Sequence, residues 1–410
     1  MSPLASYRRL FTLAGPLYVA VAFVGRLPLA MAQMGTLLLV AGTTGSYGTG
    51  GAAAGALAVA NAVGAPVAGS LADRVGQRPV VLVQSLLGGL GLLALVTLAQ
   101  AEVAPGPGAR SGACRPITRE EEHHQPHLME AAFSYEGAAD EASFVLGPAL
   151  LGLIVVVASP QLALVVAASI LLVFGCAFAL HPTARLTHAH RAAAVAGARL
   201  MSAAFVVLLV AQLLIGVVFG SIQTGTTVLA TDAGQAGIAG LVHASLGVGS
   251  VIAGLAVAAL PARFGYASRV LVAALGLAVL SVPLLATDTI PRLFVVVLVL
   301  GFVVAPYMIS VFMLGERAAP ASRVGAAMTL LAGATGIGYA VGSAGAGRLA
   351  DVYGHTGAFA VTVAAAASAA VLAAASQPLL RRIGHRDPRP AATPGSGTND
   401  PAVIPPAARP

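Results

Sequence analysis

The stretch GSLADRVGQRP, residues 69 to 79, gathers two arginines and an aspartate between long runs of Ala, Val, Leu and Gly. Charge is scarce elsewhere, because only 9% of the 410 residues are charged and 58% are hydrophobic. Soluble globular domains carry about 25% charged residues. The chain therefore lacks the polar surface that a water-soluble protein of this size needs.

Apolar runs recur along nearly the whole chain, each close to the roughly 20 residues that a helix needs to cross a bilayer. The strict apolar–polar alternation typical of transmembrane strands does not occur. We therefore predict an all-α polytopic membrane protein. The eleven predicted spans are residues 11–41, 50–71, 80–100, 132–158, 161–181, 202–229, 234–260, 269–287, 291–314, 322–346 and 356–377.

The positive charge comes entirely from arginine, since the sequence contains no lysine. The arginines concentrate at the N-terminus, in loops 72–79 and 182–200, at 263–269 and 317–323, and in the tail from residue 381, with Arg292 and Arg348 as exceptions. Short arginine-rich loops are typical of the cytoplasmic side. We predict a bacterial inner-membrane protein with both termini in the cytoplasm and a disordered Pro- and Gly-rich tail over 381–410.

The predicted spans do not alternate correctly between the two sides. Loop 72–79 is inside, so the third span ends outside, whereas loop 182–200 requires the pair 132–158 and 161–181 to start inside. The chain must cross once more between residues 101 and 131. The least polar part of that segment, 101–114, is too short and too broken for a helix across about 30 Å of hydrocarbon. Either a shortened fourth helix enters there or the element is lost.

This layout resembles the major facilitator superfamily over the chain up to about residue 380. The family's loop between its second and third helices runs roughly G-x-L-A-D-R-x-G-R-R/K. It is matched here by Gly69, Leu71, Ala72, Asp73, Arg74, Gly76 and Arg78, whereas Gln77 stands where a basic residue is usual. The resemblance implies twelve helices in two six-helix bundles, residues 1–181 and 201–380, joined by a cytoplasmic loop over 182–200.

The resemblance also implies that this loop is a conformational latch. Asp73 would pair with nearby arginines and with a helix end in the other half, where a carboxylate at a helix N-terminus gains about 0.3–1 kcal/mol. The alternative is a charged turn that only fixes the topology. The similar stretch GRLADVYG, residues 347 to 354, falls on the opposite side in a twelve-span layout, so it is not predicted to be this latch.

Residues Gly147, Pro148 and Gly152 resemble the Gly-Pro motif in the fifth helix of exporting branches of the family, although Leu151 stands where a second glycine is common. We therefore predict proton-coupled export of small organic compounds by alternating access. The alternatives are uptake of a sugar or organic anion, or a non-transporting membrane protein. The fourth helix of the family usually carries an arginine thought to serve proton coupling, and no counterpart is assigned in this sequence.

Ionisable groups inside spans are expensive to bury and therefore mark candidate sites. Arg26 lies near the middle of the first predicted span, and Gln33 is seven residues on, on the same helix face. We predict that they line a cavity; the alternative is a span that divides near Pro28 and lets Arg26 reach the membrane surface.

Three acids, Glu136, Asp140 and Glu141, begin the fourth predicted span. Burial and mutual repulsion would raise a carboxyl pKa, so one of them could exchange a proton near neutral pH. We predict that one acid pairs with Arg26; the alternative is an ordinary hydrated helix end.

Polar residues inside other apolar runs could line the same cavity or simply bond helix to helix. They are Gln212, Gln223, His243 and Tyr307, with Asn61. The stretch EEEHHQPH, residues 120 to 127, reads better as a solvated acidic loop than as a metal site.

We expect no metal, cofactor or enzymatic activity, and a nucleotide P-loop is excluded because it requires lysine. The expected partners are the lipid bilayer, protons and a small-molecule substrate. We expect a monomer and no nucleic acid partner.

Overall fold

The computed structural model describes residues 16–100, 126–180, 200–258, 264–320 and 323–384. Within these ranges every regular element is helical. The helices are α1 (Pro16–Val24), α2 (Leu27–Thr44), α3 (Tyr47–Val75), α4 (Gln77–Gln100), α5 (Pro126–Val157), α6 (Pro160–Leu180), α7 (Ala203–Asp232), α8 (Ile238–Ala258), α9 (Tyr266–Ser281), α10 (Ile290–Ala318), α11 (Val324–Ala375) and α12 (Gln377–Gly384).

Nine helices in the described part of the chain are long and apolar enough to cross a membrane. Two features reconcile this number with the predicted spans. The 52-residue α11 contains the last two predicted spans and breaks at Gly354, where φ is 64°. The apolar part of α5, Ala142–Val157, is shorter than a full span. The predicted all-α polytopic membrane fold is confirmed.

The helices form two groups, α1 to α6 and α7 to α12, called here the first and second halves. In the first group α2 packs against α3, α5 and α6, and α4 packs against α6. In the second, α7 packs against α11, and α10 packs against α8 and α9. Contact between the groups runs mainly along two helix pairs, α3 with α11 and α5 with α8. These two pairs form the interface on which the candidate site depends.

The ends of α4 and α5 establish the path of the chain. Helix α4 is antiparallel to α6, since Gly89 lies against Leu172 and Gly175 lies against Ser85. Because α6 follows α5 after a short turn, α5 and α4 run in the same direction, and Gln100 and Pro126 lie at opposite ends of the bundle. This opposite placement agrees with the alternation of the arginine-rich loops.

The short helix α12 is amphipathic and packs under the second half. Leu380 and Ile383 are buried, and the Gln377 side chain donates a hydrogen bond of 2.8 Å to the carbonyl of Ala267. The predicted start of the tail at residue 381 therefore falls inside a helix. The rest of that tail, most of the predicted loop 182–200 and the segment 101–125 lie outside the described residues.

The opposite placement of the ends of α4 and α5 can be tested by cysteine labelling in cells. With the native Cys114 and Cys176 changed to serine, we expect Gln100→Cys to react with a membrane-impermeant maleimide in intact cells. His127→Cys should react only after permeabilisation, because it lies at the other end. Reaction of both cysteines under the same condition would contradict this path.

Candidate functional site between the two halves

Small residues allow the two halves to touch backbone to backbone. On α5, Gly152 lies so close to α8 that an added Cβ would sit 2.5 Å from the carbonyl oxygen of Gly237. A Cβ on Gly240 would collide with the carbonyl of Pro148. On the other side of α5, a Cβ on Gly147 would lie 2.9 Å from that of Ala30 on α2. The predicted Gly-Pro motif therefore forms a joint between α2, α5 and α8.

The second inter-half pair, α3 and α11, touches along only one half of its length. Near the start of α3, Ala54 and Ala58 are 0% and 1% exposed, whereas Val63 and Val67 further along are 57% and 59% exposed. On α11, Gly336 still lies against Ala62, but a Cβ on Gly325 would meet nothing within 4 Å. The halves are therefore closed at the end that contains Tyr47 and Asp351, here called the closed end, and diverge toward the other, the open end.

A hydrophobic floor lies where the two helices separate. Leu37 of α2, Ala54 and Ala58 of α3 and Tyr339 of α11 form one buried cluster, and Phe219 of α7 packs against it. Since α2 and α3 belong to the first half and α7 and α11 to the second, the floor is built by both. Any solute between the halves on the open side would be stopped there.

Polar side chains flank the floor on two helices with the same spacing. On helix α7, Gln212, Phe219 and Gln223 follow one another at spacings of seven and four residues. On α2, Leu37 is the last residue of a series with the same two spacings. The other two members of this series are Arg26, at the N-cap of α2, and Gln33. Spacings of seven and eleven keep side chains on one helix face. Because Leu37 and Phe219 both belong to the floor, each polar series faces the plane between the halves.

The amide groups on α7 are buried without a full set of hydrogen bonds. Both amide atoms of Gln212 have no partner among the described residues, and the side chain is 0% exposed. Gln223 accepts a bond of 2.9 Å from the Tyr339 hydroxyl, but its own NH₂ group has no described partner. Buried polar groups are nearly always bonded, so these amides fit water or a hydrogen-bonding solute.

Arg26 lies in a break between two helices. Helix α1 ends at Val24 and α2 begins at Leu27, so Arg26 occupies the break beside Pro28. The candidate membrane span runs from Ala20 to Thr44, so Arg26 lies inside it, nearer to its open end. The side chain is nevertheless only 7% exposed and donates a 3.4 Å bond to the carbonyl of Ala22. Gln33 is half-buried.

Three other predicted residues have different surroundings. Tyr307 of α10 is fully buried and donates a 3.0 Å hydrogen bond to the Ala211 carbonyl of α7, the helix-to-helix role given above as the alternative. His243 lies half-buried on α8, with no described partner for its Nδ1 atom. Asn61 of α3 likewise has no described partner for its amide group.

Phe219 and Tyr339 were missed by the sequence analysis because aromatic residues in apolar runs carry no separate signal.

The predicted acids lie on α5, and their side chains are outside the described part of the chain. The same holds for Asp73 and Arg74 of the predicted latch. The remaining latch residues lie at the open end: Gly69 has open space around it, Arg78 is half-buried, and Gly76 ends α3 with φ of 90°. That positive φ explains the glycine, since other residues are strained there.

Among the described residues, no three His, Cys, Asp or Glu side chains come together as metal ligands would. Of the stretch 120–127, residues 120–125 and the side chain of His127 lie outside the described part.

The similar stretch at residues 347–354 lies at the closed end. The Asp351 carboxylate contacts Ser46, Tyr47 and Gly48 at the start of α3, whereas Asp73 is near the other end of the same helix. The two look-alike stretches therefore occupy opposite ends, as the twelve-span layout predicted.

Gly240→Ala tests the backbone contact at the α5–α8 joint. The added methyl collides with the Pro148 carbonyl, so we expect a loss of about 1–3 kcal/mol in unfolding free energy. Gly64→Ala is the matched control, because that helical glycine has nothing within 4 Å of the added carbon. The control should be neutral or more stable by about 0.5–1 kcal/mol. Equal thermal or denaturant stability of the two variants would contradict the packing argument.

The fold is similar to the solved structures of several transporters. The human organic anion transporter MFSD10 is 17% identical, with a TM-score of 0.57 over 87% of this chain and 98% of that one. The nucleoside transporter NupG is 14% identical, with a TM-score of 0.61 over 91% and 100% of the two chains. An auto-inhibited POT family peptide transporter is 14% identical, with a TM-score of 0.66 over 90% and 97%. No family model and no curated protein matches the sequence. At these identities the comparison shows the fold.

Proposed function

We propose that this chain is a secondary active transporter that exports small organic compounds in exchange for protons by alternating access. One observation carries the proposal: two helical halves are packed closely at one end, diverge at the other, and present polar series to the plane between them. Rocking of two halves about a site between them is the mechanism of such carriers. Helix pairs built from small residues suit this motion, because few interlocked side chains must separate.

The compounds carried by the structural neighbours, named as organic anions, nucleosides and peptides, are small and polar. Gln33, Gln212 and Gln223 offer amide donors and acceptors of the kind such solutes need. Export is favoured by the Gly147–Pro148–Gly152 joint, which resembles the motif of exporting branches. Uptake of an organic anion is the second candidate, favoured by the buried guanidinium of Arg26.

For coupling we propose that Arg26 pairs with Asp140. The register of α5 supports this pair, because Gly147 lies against Leu27 and Ala30 of α2. Position 140 is seven residues before Gly147, on the same helix face and about 10 Å closer to the open end. Position 141 is on a different face, and position 136 is a further turn away.

Proton exchange follows from the chemistry of this pair. When Asp140 is ionised, its carboxylate can accept a hydrogen bond from Arg26 or from a substrate. When it is protonated, its negative charge is lost, one oxygen becomes a hydrogen-bond donor, and Arg26 loses its ionic partner. Proton and substrate therefore compete at one carboxylate, which is the requirement for exchange. In this proposal Arg26 takes the coupling role that the family usually gives to an arginine of the fourth helix.

The proposed orientation rests on the distribution of arginine. The described arginines of the open end are Arg78, Arg269, Arg317, Arg323, Arg381 and Arg382. Arg292 and Arg348 lie at the closed end. By the positive-inside rule the open end faces the cytoplasm of a bacterial cell, and the closed end faces out. The crossing between Gln100 and Pro126 favours a working carrier over a non-transporting protein, because the topology of a carrier is retained.

The function is tested by reconstitution into proteoliposomes that contain a pH-sensitive dye. A nucleoside, a dipeptide, an aromatic organic anion and a lipophilic cation are each added under an imposed proton gradient. We expect at least one to move against the direction of proton flow. Flux of protons and solute in the same direction supports the uptake candidate. Failure of every solute to move at any gradient would favour the non-transporting alternative.

The proposed coupling pair predicts different outcomes for two neighbouring acids. Asp140→Asn should lower proton-driven flux by about 100-fold, the scale on which loss of a positioned proton-transfer group acts. Glu141→Gln should leave flux unchanged, because position 141 is on another face of α5. Solute exchange without a proton gradient should survive in Asp140→Asn. Equal flux in Asp140→Asn and the parent protein would remove the pair from the mechanism.

A further inference from the structure

At the closed end, a carboxylate of the second half accepts hydrogen bonds from the first half. One oxygen of Asp351, near the Gly354 break in α11, accepts bonds from the Ser46 hydroxyl at 2.7 Å and the Gly48 N–H at 3.0 Å. The other oxygen accepts from the Tyr47 N–H at 2.6 Å. Ser46 is the N-cap of α3 and also accepts from the N–H of Thr49. The carboxylate thus completes the cap of a helix in the other half.

The capping geometry depends on a glycine. A Cβ at Gly48 would lie 2.8 Å from the Asp351 carboxylate oxygen, so a side chain there would displace the carboxylate. A carboxylate at a helix N-terminus is stabilised by the helix dipole and by the first N–H groups, which have no partner within the helix. Asp351 remains exposed, so water competes for these bonds. The contact can therefore bias a conformational equilibrium without locking it.

The register of α3 and α11 relates Asp351 to the latch predicted from the sequence. The helices are antiparallel, since Gly48 lies beside Asp351 and Ala62 lies beside Gly336. Continuing this register places position 73 opposite the first turn of α11, which begins at Val324. Asp73 lies near the C-terminal end of α3, and Asp351 lies just before the Gly354 break in α11. Each aspartate position thus aligns with the N-terminus of the partner helix.

We propose that Asp351 is the latch of the closed end, and that the α3–α11 pair closes alternately on Asp351 at one end and on Asp73 at the other. In the structure the Asp351 latch is made while the helices have separated beyond Ala62. Rocking the halves in the other direction would bring position 73 to the start of α11 and pull Asp351 away from α3. The inference rests on the alternating access proposed above, and it assigns a function to the look-alike stretch at residues 347–354.

The test measures the opening of the closed end by distances between paired spin labels. Labels are placed at Thr43 of α2 and Thr356 after the Gly354 break, both exposed and one in each half. The full chain is used, with Cys114 and Cys176 changed to serine. We expect Asp351→Asn to raise the ratio of long to short distances by about fivefold, the effect of losing one typical helix cap. Gly48→Ala should act in the same direction, because it displaces the carboxylate without changing its charge.

Asp288→Asn is the matched control for charge at the closed end. The Asp288 side chain is 75% exposed, and its described ionic partner, His355 at 3.8 Å, lies in the same half. This variant should leave the distance ratio unchanged. An unchanged ratio in both Asp351→Asn and Gly48→Ala would overturn the latch, as would an equal rise in Asp288→Asn.

Asp73→Asn tests the alternation. It should lower the ratio of long to short distances, because it removes the bonds of the opposite state. A rise, or no change, would overturn the alternating arrangement. The distances need no substrate, so a protein that carries no solute but responds to Asp351→Asn would refute only the proposed function.

Discussion

Close backbone contact between small residues joins the two halves, and the rest of the structure depends on it. In hydrocarbon the lipid is as apolar as the helix surface, so burial of leucine gives no net attraction between spans. Gly152 and Gly240 instead allow α5 and α8 to approach until a single methyl group would not fit. Gly51 and Ser343 do the same for α3 and α11, where the serine hydroxyl bonds to the glycine carbonyl at 2.9 Å. These helix surfaces can separate without withdrawing large side chains from pockets in the opposite helix.

The sequence predicted the fold well because membrane helices are constrained by simple physics. A span must be apolar over about 20 residues, and arginine in short loops marks one side. Those two rules located the crossings and required one more between Gln100 and Pro126, where hydropathy alone showed none. They could not locate the α1–α2 break at Gly25 and Arg26, since Pro28 is compatible with a helix start as well as with a bend.

The candidate site was predicted in part, because polarity inside an apolar run is visible but the helix face is not. Gln33, Gln212 and Gln223 stand out from their neighbours in the sequence. The floor residues Phe219 and Leu37 do not, since nothing distinguishes an aromatic or aliphatic residue at an interface from one that faces lipid. Only the packing of Leu37 and Phe219 in one cluster reveals that the series on α2 and α7 face the same plane.

The look-alike stretches show why one local pattern can serve both ends of a bundle. Both place an aspartate shortly before a glycine at which a straight helical segment ends, Gly76 after α3 and Gly354 within α11. In an antiparallel pair each such end lies beside the N-terminus of the other helix. A carboxylate is favourable at either N-terminus for the same electrostatic reason. When the halves separate at one end, water hydrogen-bonds to the helix N–H groups that the carboxylate had capped. Exchanging one cap for the other therefore changes the free energy of the protein little. Such a balance lets two access states remain close in free energy.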